Sequence, residues 1–174
     1  MYQRPPKTTE EVLHNLSPET EPPTPLSVSV ESDSSDGSAA ANDWKRLGDD
    51  QMGELFLRVA LREELSRSAA VSGADGWGND TQIEFTSEGR TGYAWALRWD
   101  DTANATEFET VLTEYLDSRA EKRGETWVDT EDGETSHFRS IRAGADIVVV
   151  FAGHEEFVDG ATAEAQAGNV TVTT

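Results

Sequence analysis

The chain has 174 residues and is 36% hydrophobic, which suffices for one compact domain with a core but is short for two. Its 34 acidic residues against 14 lysines and arginines give a formal net charge of -20, and such a surface repels nucleic acid and anionic membranes. No apolar run approaches the ~20 residues that span a bilayer, and the absence of cysteine excludes disulfides and thiol chemistry. The composition therefore predicts neither a nucleic-acid partner nor membrane insertion.

The charge balance also favours a halophilic, archaeal origin. A surface this acidic destabilises the compact state in dilute buffer by self-repulsion, but at about 1 M salt the screening length falls to roughly 3 Å. Lysine is scarce, since only Lys7, Lys45 and Lys122 occur. We therefore expect a protein whose carboxylate coat tolerates strong brine.

The sequence supports two cellular locations, the cytoplasm and the outside of the membrane. The amino terminus carries no hydrophobic signal segment, which favours the cytoplasm. Four asparagines match the N-glycosylation acceptor pattern, which favours an extracytoplasmic location, although Asn and Thr also share turns and helix caps. These four are Asn15, Asn79, Asn104 and Asn169.

Residues 1–43 are predicted to be a largely irregular arm, because they hold all six prolines and a Ser/Asp/Gly/Ala run. Within the arm, Thr8 and Glu11 fit a capping box at the start of one helical turn. Val28 and Val30 fit a short edge strand. Residues 44–174 are predicted to form a single α+β domain.

The first helix of that domain is predicted after Asp49 and Asp50, which are suitable N-caps. Its apolar residues recur at spacings of three and four, which indicates a buried stripe that Leu57, Leu61 and Leu65 widen. The stripe comprises Met52, Leu55, Phe56, Val59 and Ala60.

A glycine-rich loop is predicted over residues 73–80, followed by two strands. Ile83 and Phe85 alternate with polar neighbours, residues 87–90 turn, and an aromatic row then alternates along a longer strand. The row is Tyr93, Trp95, Leu97 and Trp99. Such a row suits a sheet face covered by helices.

The remaining elements are a second helix and further strands. Asn104 and Glu107 fit a capping box at the helix start, and Gly124 is expected just past its end. The buried stripe comprises Phe108, Val111, Leu112, Tyr115 and Leu116. A hairpin turning at 131–133, a central strand from Ile147 to Ala152, a short helix over 154–165 and a strand at 170–172 follow. The fold class predicted is α+β, a mainly antiparallel sheet of about five strands with two main helices packed on it.

No recognisable catalytic motif occurs, so we predict no catalytic residues, metal or cofactor. His154 begins an H-E-x-x pattern, but Val158 stands where a second zinc ligand is required. A helix start with a solvated histidine is the favoured interpretation. The loop residues Asp75, Asn79 and Asp80 offer oxygen ligands of the kind calcium prefers, but their spacing is not that of a calcium loop. The weak binding-loop candidates are Asp75, Gly76, Trp77, Gly78 and Asp80.

Two other features admit both a structural and a functional interpretation. Asp100 and Asp101 fit a cap for the second helix, and they also fit a paired-carboxylate acid/base site. The aromatic row fits core packing, and it also fits a ligand-binding face with Arg98 beside it. In both cases the structural interpretation is favoured.

Three stretches together resemble a known family. They are residues 53–64, 74–80 and 95–108. They look like the C-terminal half of uncharacterised secreted lipoproteins of haloarchaea and some bacteria, whose upstream half carries the H-E-x-x-H of a zinc peptidase. Residues 5–14 resemble the junction just before that half. In the loop, Asn79 replaces the family's second glycine, and Thr81 and Gln82 replace Arg-Tyr, which puts a role for the loop in doubt.

The resemblance implies an accessory half without the zinc site. The leading hypothesis is a non-catalytic binding or scaffolding module of a halophilic, extracytoplasmic protein that docks onto a protein partner. The alternatives are a small-ligand carrier or unrecognised small enzyme that uses the aromatic sheet face, and a degenerate fragment of a peptidase-like lipoprotein. The sequence predicts neither the identity of a ligand nor the oligomeric state.

Overall fold

The computed structural model describes residues 23–31 and 44–174. The helical turn expected at Thr8 and the sequon at Asn15 lie outside the described residues. The domain begins with strands β1 (Ser27–Glu31) and β2 (Lys45–Asp50) and helices α1 (Gly53–Leu61) and α2 (Arg67–Ser72). The long strands β3 (Trp77–Ser87) and β4 (Arg90–Trp99) follow, and then the long helix α3 (Thr102–Arg119).

The second half of the chain is mostly strand. It contains β5 (Glu121–Arg123), β6 (Thr126–Glu131), β7 (Glu134–Arg142), β8 (Ile147–Gly153), the short helix α4 (Glu155–Gly160), β9 (Thr162–Gln166) and β10 (Asn169–Thr173). The seven-stranded sheet has the order β2-β3-β4-β8-β7-β6-β5 with every neighbour antiparallel. The α+β class and the antiparallel sheet are confirmed, and the sheet has seven strands where the sequence indicated about five.

A second, three-stranded sheet of order β1-β10-β9 was not predicted as a sheet. The edge strand expected at Val28 and Val30 is β1, which pairs in parallel with β10. The chain between Glu31 and Trp44 lies outside the described residues. Because Val170 and Val172 are buried against the large sheet, the small sheet and α4 cover one of its faces.

The helices α1, α2 and α3 cover the other face, so the domain has three layers. The side chains of β4 divide between them by strand alternation, with Leu97 and Trp99 under the helices and Ala94 and Ala96 toward the small sheet. On the small-sheet side the Phe157 ring of α4 lies directly over Gly92, where an added Cβ would be 2.3 Å from the ring. Close approach of the layers therefore depends on small residues in β4.

The central position predicted for residues 147–152 is confirmed, because β8 lies between β4 and β7 and is buried on both faces. The hairpin predicted with a turn at 131–133 is β6-β7. The helix expected over 154–165 ends at Gly160, and the alternating residues after it form β9 instead. His154 is the N-cap of α4, as the structural interpretation predicted, and its Nδ1 accepts the Glu156 amide at 3.3 Å.

The ends of α3 differ from the prediction. Asp101 is the N-cap and its side chain accepts the Asn104 amide at 2.9 Å, so Asn104 lies inside the first turn and is not the cap. This confirms the capping interpretation for Asp101. The helix ends at Arg119, with its C-cap Ala120 in extended backbone, and Gly124 instead supplies the positive φ of the turn between β5 and β6.

Candidate binding surface

Aromatic side chains from α1, β4, α3 and β7 lie on the helix-covered side of the sheet, where the Phe56 ring contacts the Trp95 ring and the Arg119 guanidinium lies over the rings of Tyr115 and Phe138. We call them the aromatic shelf: Phe56, Tyr93, Trp95, Tyr115 and Phe138. Phe56 is 46% exposed. Tyr93, Trp95, Tyr115 and Phe138 are half-buried. Unlike the fully buried Trp99, these rings therefore present both a packed side and a side accessible to solvent.

The sheet register places the shelf. Tyr93 and Phe138 each pair with Ala152, from its two sides, so they flank one small residue on the same face. Trp95 lies two residues further along β4, beside Val150. Tyr93 and Phe138 are therefore separated on this face by one small side chain.

Helix α1 forms one wall of the shelf. The Phe56 ring meets the Trp95 ring edge to face, with centroids 5.8 Å apart. The same side of α1 exposes Leu55 by 45% and Val59 by 58%. These two residues with Phe56 form a stripe at spacings of one and three residues, which is the pattern of a helix that binds along one face. We call Leu55, Phe56 and Val59 the α1 stripe.

The packing face predicted for the first helix is confirmed for Leu57 and Leu61, which are buried, and is wrong for Leu55, Phe56 and Val59, which are exposed. The buried residues are Gly53, Glu54, Leu57 and Leu61, while most of the predicted stripe faces outward. Helix α1 is apolar on more than one side, so periodicity alone does not choose between its faces. Glu54 is buried beside Arg58, which forms an ion pair with it one turn away. This pairing lets a carboxylate lie on the buried side.

Asp80 joins the helix to the sheet. Its carboxylate accepts the backbone amides of Met52 at 3.0 Å and Gly53 at 2.9 Å, and the Trp95 indole Nε1–H at 2.6 Å. It caps α1 from a strand, because Met52 itself supplies no side-chain cap. Burial raises the pKa of Asp80 from its ordinary value of 3.8, although the three hydrogen bonds favour the ionised form. One side chain thus fixes both the start of α1 and the orientation of Trp95.

Arg119 closes the opposite side of the shelf. Its guanidinium lies over the rings of Tyr115 and Phe138, at 5.5 and 5.7 Å from their centroids. It also donates to Asp129 at 2.7 Å and to the Tyr115 hydroxyl at 2.6 Å. Burial alone would lower the pKa of Arg119, but these bonds raise it. The cation is therefore fixed in place and permanently charged.

The loop candidates from the sequence are dispersed by the structure. The loop predicted over residues 73–80 is shorter, since β3 begins at Trp77, and Asp80 lies within the strand. Asp75 is exposed, whereas Trp77 is 1% exposed and belongs to the core. Gly76 approaches the Asn104 side chain and Gly78 approaches Thr24, so neither backbone faces an open site. Only Asp80 contributes to the shelf.

The three described sequons differ in environment. The Asn79 amide donates to the Thr24 carbonyl at 2.9 Å and its oxygen accepts from Gln51 at 2.7 Å. Asn104 packs against Gly76. Asn169 is exposed at the start of β10. Of these three, Asn169 is the most exposed, and its side chain accepts from Ser27 at 2.6 Å and donates to the Gln166 carbonyl at 3.3 Å.

The described residues form neither a metal-binding cluster nor a membrane-spanning helix. Within residues 23–31 and 44–174, no three His, Asp or Glu side chains come close enough together to hold a metal ion. No helix in these two ranges is long and apolar enough to cross a bilayer.

The fold and this surface define a three-layered α+β domain with a half-exposed aromatic face. A family profile described as a domain of unknown function, DUF8575, matches residues 42–162, and the chain belongs to this family. The match leaves out β1, β10 and all but the first residue of β9, so the small sheet lies almost entirely outside it. No curated protein and no solved structure matches the chain.

Sequence reasoning identified Tyr93 and Trp95 as a candidate ligand-binding face but missed the other three members of the shelf. Tyr115 was predicted as part of a buried stripe, and Phe138 was only placed within a strand. The available signal was the surplus of apolar residues around α1, which exceeds what one buried face requires.

Proposed function

We propose that this chain is a non-catalytic binding module whose aromatic shelf and α1 stripe dock a segment of a partner protein. The observation that carries the proposal is the exposure of Leu55, Phe56 and Val59, at 45%, 46% and 58%, in a chain with a net charge of -20. Adjacent large apolar side chains on an otherwise charged surface mark interaction sites. Aromatic residues also dominate binding energy at interfaces.

The geometry suits a protein segment because the shelf is supported on both sides. Asp80 holds Trp95, and Asp129 holds Arg119, which in turn bonds Tyr115, so these side chains do not have to be ordered when a partner binds. Preorganised rings lose little conformational entropy on association, which raises affinity for a given contact area. Arg119, whose guanidinium is held by Asp129 and the Tyr115 hydroxyl, fixes the far edge of the shelf.

Two further parts of the proposal come from the sequence. The acidic composition supports a halophilic protein, and the sequons with the resemblance to secreted lipoproteins support an extracytoplasmic one. In that setting the partner is a polypeptide that supplies the peptidase-like half. Docking in brine must be mainly apolar, because salt at about 1 M screens charges beyond roughly 3 Å.

Site-specific photocross-linking tests the proposal. A benzophenone amino acid replaces Val59 in the full chain, and lysate in about 2 M KCl provides the partner under screened conditions. We expect one discrete cross-linked product, which excess wild-type chain suppresses and excess Phe56→Asp chain does not. The matched control carries the same amino acid at Val71, which is 37% exposed on α2.

The outcomes are distinct. A product from position 59 that is absent from position 71 supports a docking surface on α1. Identical products from both positions, or competition by the Phe56→Asp chain equal to that by the wild type, would count against the proposal.

A small-ligand carrier remains a second candidate because Trp95 and Tyr93 are half-buried and face the same side of the sheet. The Trp95 indole N–H is already bonded to Asp80, which leaves the rings as an apolar surface with few polar groups to orient a small molecule. A protein segment therefore fits this surface better.

A further inference from the structure

We propose that the outer edge of β1 pairs with β1 of a second copy of this chain, so that the protein is a two-fold symmetric dimer in strong salt. This edge lies on the opposite side of the large sheet from the aromatic shelf, so the inference goes beyond the proposed function and does not depend on it. In the dimer the two small sheets form one continuous sheet, with the strand order β9-β10-β1-β1-β10-β9.

The inner edge of β1 is bonded to β10. The Ser27 amide donates to the Gly168 carbonyl at 3.0 Å, and the Glu31 carbonyl accepts the Thr174 amide at 3.2 Å. Because the backbone groups of alternate strand residues point to the same edge, the middle residue Ser29 also bonds to β10. The first, middle and last residues of β1 thus complete the parallel pairing within one chain.

The outer edge of β1 carries the backbone groups of the two intervening residues. Val28 and Val30 direct their amides and carbonyls away from β10. Since β1 is the last strand of the small sheet, no strand in the described ranges lies beside this edge. Such a row of amides and carbonyls is a template for pairing with another chain.

The outer edge of β1 also faces the margin of the domain. The Thr24 amide, three residues before β1, donates to the Gly78 carbonyl of β3 at 3.1 Å. On the other side of the small sheet, the Ala165 amide of β9 donates to the Ala143 carbonyl just after β7, at 3.0 Å. The small sheet therefore crosses the large one from β3 to β7, and only β2 lies beyond β3. A second copy can approach β1 from that side.

The other sheet edges within the described residues are shielded. Strand β2 has a register shift between Arg46 and Gly48 and is rich in charged residues. Strand β5 has three residues, all charged and exposed. Strand β9 is bonded to the chain after β7 through Ala165. Bulges, charges and short strands prevent edge-to-edge association. Strand β1 has a regular register and only one charged residue, Glu31, so its edge is the one suited to pairing.

The sequence of β1 is complementary to a copy of itself. In an antiparallel pair centred on Ser29, Val28 lies opposite the second copy's Val30, and these two residues exchange both hydrogen bonds of a hydrogen-bonded pair. Ser29 meets its own copy at the non-hydrogen-bonded position, where the Cα atoms are about 4.5 Å apart and a small side chain fits. Glu31 lies opposite Ser27, so no two carboxylates are directly opposed.

The dimer requires strong salt. Two chains that each carry a net charge of -20 repel one another in dilute buffer, but at about 1 M salt the screening length is roughly 3 Å. The side chains of Val28 and Val30 pack against the core beneath the small sheet, and pairing continues this apolar row across the two-fold axis. We therefore expect the dimer to form in brine and to dissociate as salt is lowered.

Cysteine at position 29 tests the register, because the chain has no cysteine of its own. Under mild oxidation in about 2 M KCl, the full chain with Ser29→Cys should form a disulfide-linked dimer, since Cα atoms about 4.5 Å apart suit a disulfide. The matched control, Ser27→Cys, lies on the same exposed face of β1. Its two copies are about 13 Å apart along the paired strands, so its disulfide should form at least tenfold more slowly.

Sedimentation equilibrium in the same salt provides a second measurement without cysteine. Val28→Pro removes an outward amide without breaking a bond to β10, and it should raise the Kd of the dimer at least tenfold relative to Val28→Ala, which keeps that amide. The Phe56→Asp chain should dimerise as the wild type does.

Four results would each overturn the inference. They are a wild-type chain that stays monomeric in strong salt, equal disulfide rates at positions 27 and 29, equal Kd for the two Val28 variants, and loss of the dimer in Phe56→Asp, which would place the contact at the α1 stripe.

Discussion

Asp80→Ala is expected to destabilise the domain by about 3 kcal/mol, which lowers the midpoint of thermal unfolding by about 10 °C. The carboxylate is 1% exposed and accepts three hydrogen bonds. Its removal leaves the amides of Met52 and Gly53 without their acceptor at the start of α1 and releases Trp95. Thermal unfolding followed by circular dichroism in strong salt measures the change.

A matched control separates this effect from the loss of a negative charge. Asp49 is 53% exposed and is paired with Arg46 on the surface, so Asp49→Ala should change stability by less than about 1 kcal/mol. If Asp80→Ala and Asp49→Ala unfold at the same temperature, the assigned role of Asp80 is wrong.

The effect of Asp80→Ala on stability should depend on pH in a direction that the pKa of Asp80 determines. Burial raises the folded-state pKa of Asp80 above 3.8, so the folded protein binds the proton first as pH falls. The contribution of Asp80 to stability therefore increases as pH falls from the folded value toward 3.8, and it is constant below that. The stability difference between wild type and Asp80→Ala should grow in this window, because the other carboxylates titrate alike in both.

Lowering the salt is expected to produce the other large effect. With a net charge of -20, the folded state should lose several kcal/mol between about 2 M and about 0.1 M KCl, because the screening length grows from a few ångströms to about 10 Å. We expect the unfolding midpoint to fall by at least about 10 °C. A salt titration of thermal unfolding measures it directly.

The control for salting-out is a chain with fewer carboxylates. Glu114→Gln, Glu125→Gln and Glu134→Gln together remove three exposed negative charges without breaking a described ion pair of these residues. General strengthening of apolar burial by salt acts on both chains alike. A flatter salt response in the substituted chain supports self-repulsion as the cause, whereas parallel curves would refute the predicted role of the carboxylate coat.

Local sequence patterns predicted the elements whose apolar residues form a single face or a continuous run. In α3 the apolar residues Phe108, Val111 and Leu116 form a single stripe, and that stripe is buried. In β4 the alternation of large apolar residues predicted which side chains share a face, and Leu97 and Trp99 are buried together under the helices while Ala94 and Ala96 face the small sheet. A run of apolar residues marked β8 as central because both of its faces require burial.

The remaining features depend on contacts between distant residues. The small sheet joins residues that are far apart in the sequence, since Ser27 pairs with Asn169. No local pattern specifies that pairing. The cap of α1 comes from Asp80, which lies beyond α2 in the sequence. Because α1 has apolar residues on several sides, only its tertiary position decided that Leu57 is buried and Val59 is exposed. The aromatic shelf follows from that choice and was therefore only partly predictable.

The most direct test of the aromatic shelf as a docking surface is the affinity of the partner captured at position 59, measured by titration in about 2 M KCl. Phe56→Asp should weaken binding at least 30-fold, or about 2 kcal/mol, while Val71→Asp should leave it within about twofold of wild type, with unfolding midpoints recorded for both variants. Equal affinity of the wild type and the Phe56→Asp chain for this partner would contradict a docking role for the shelf.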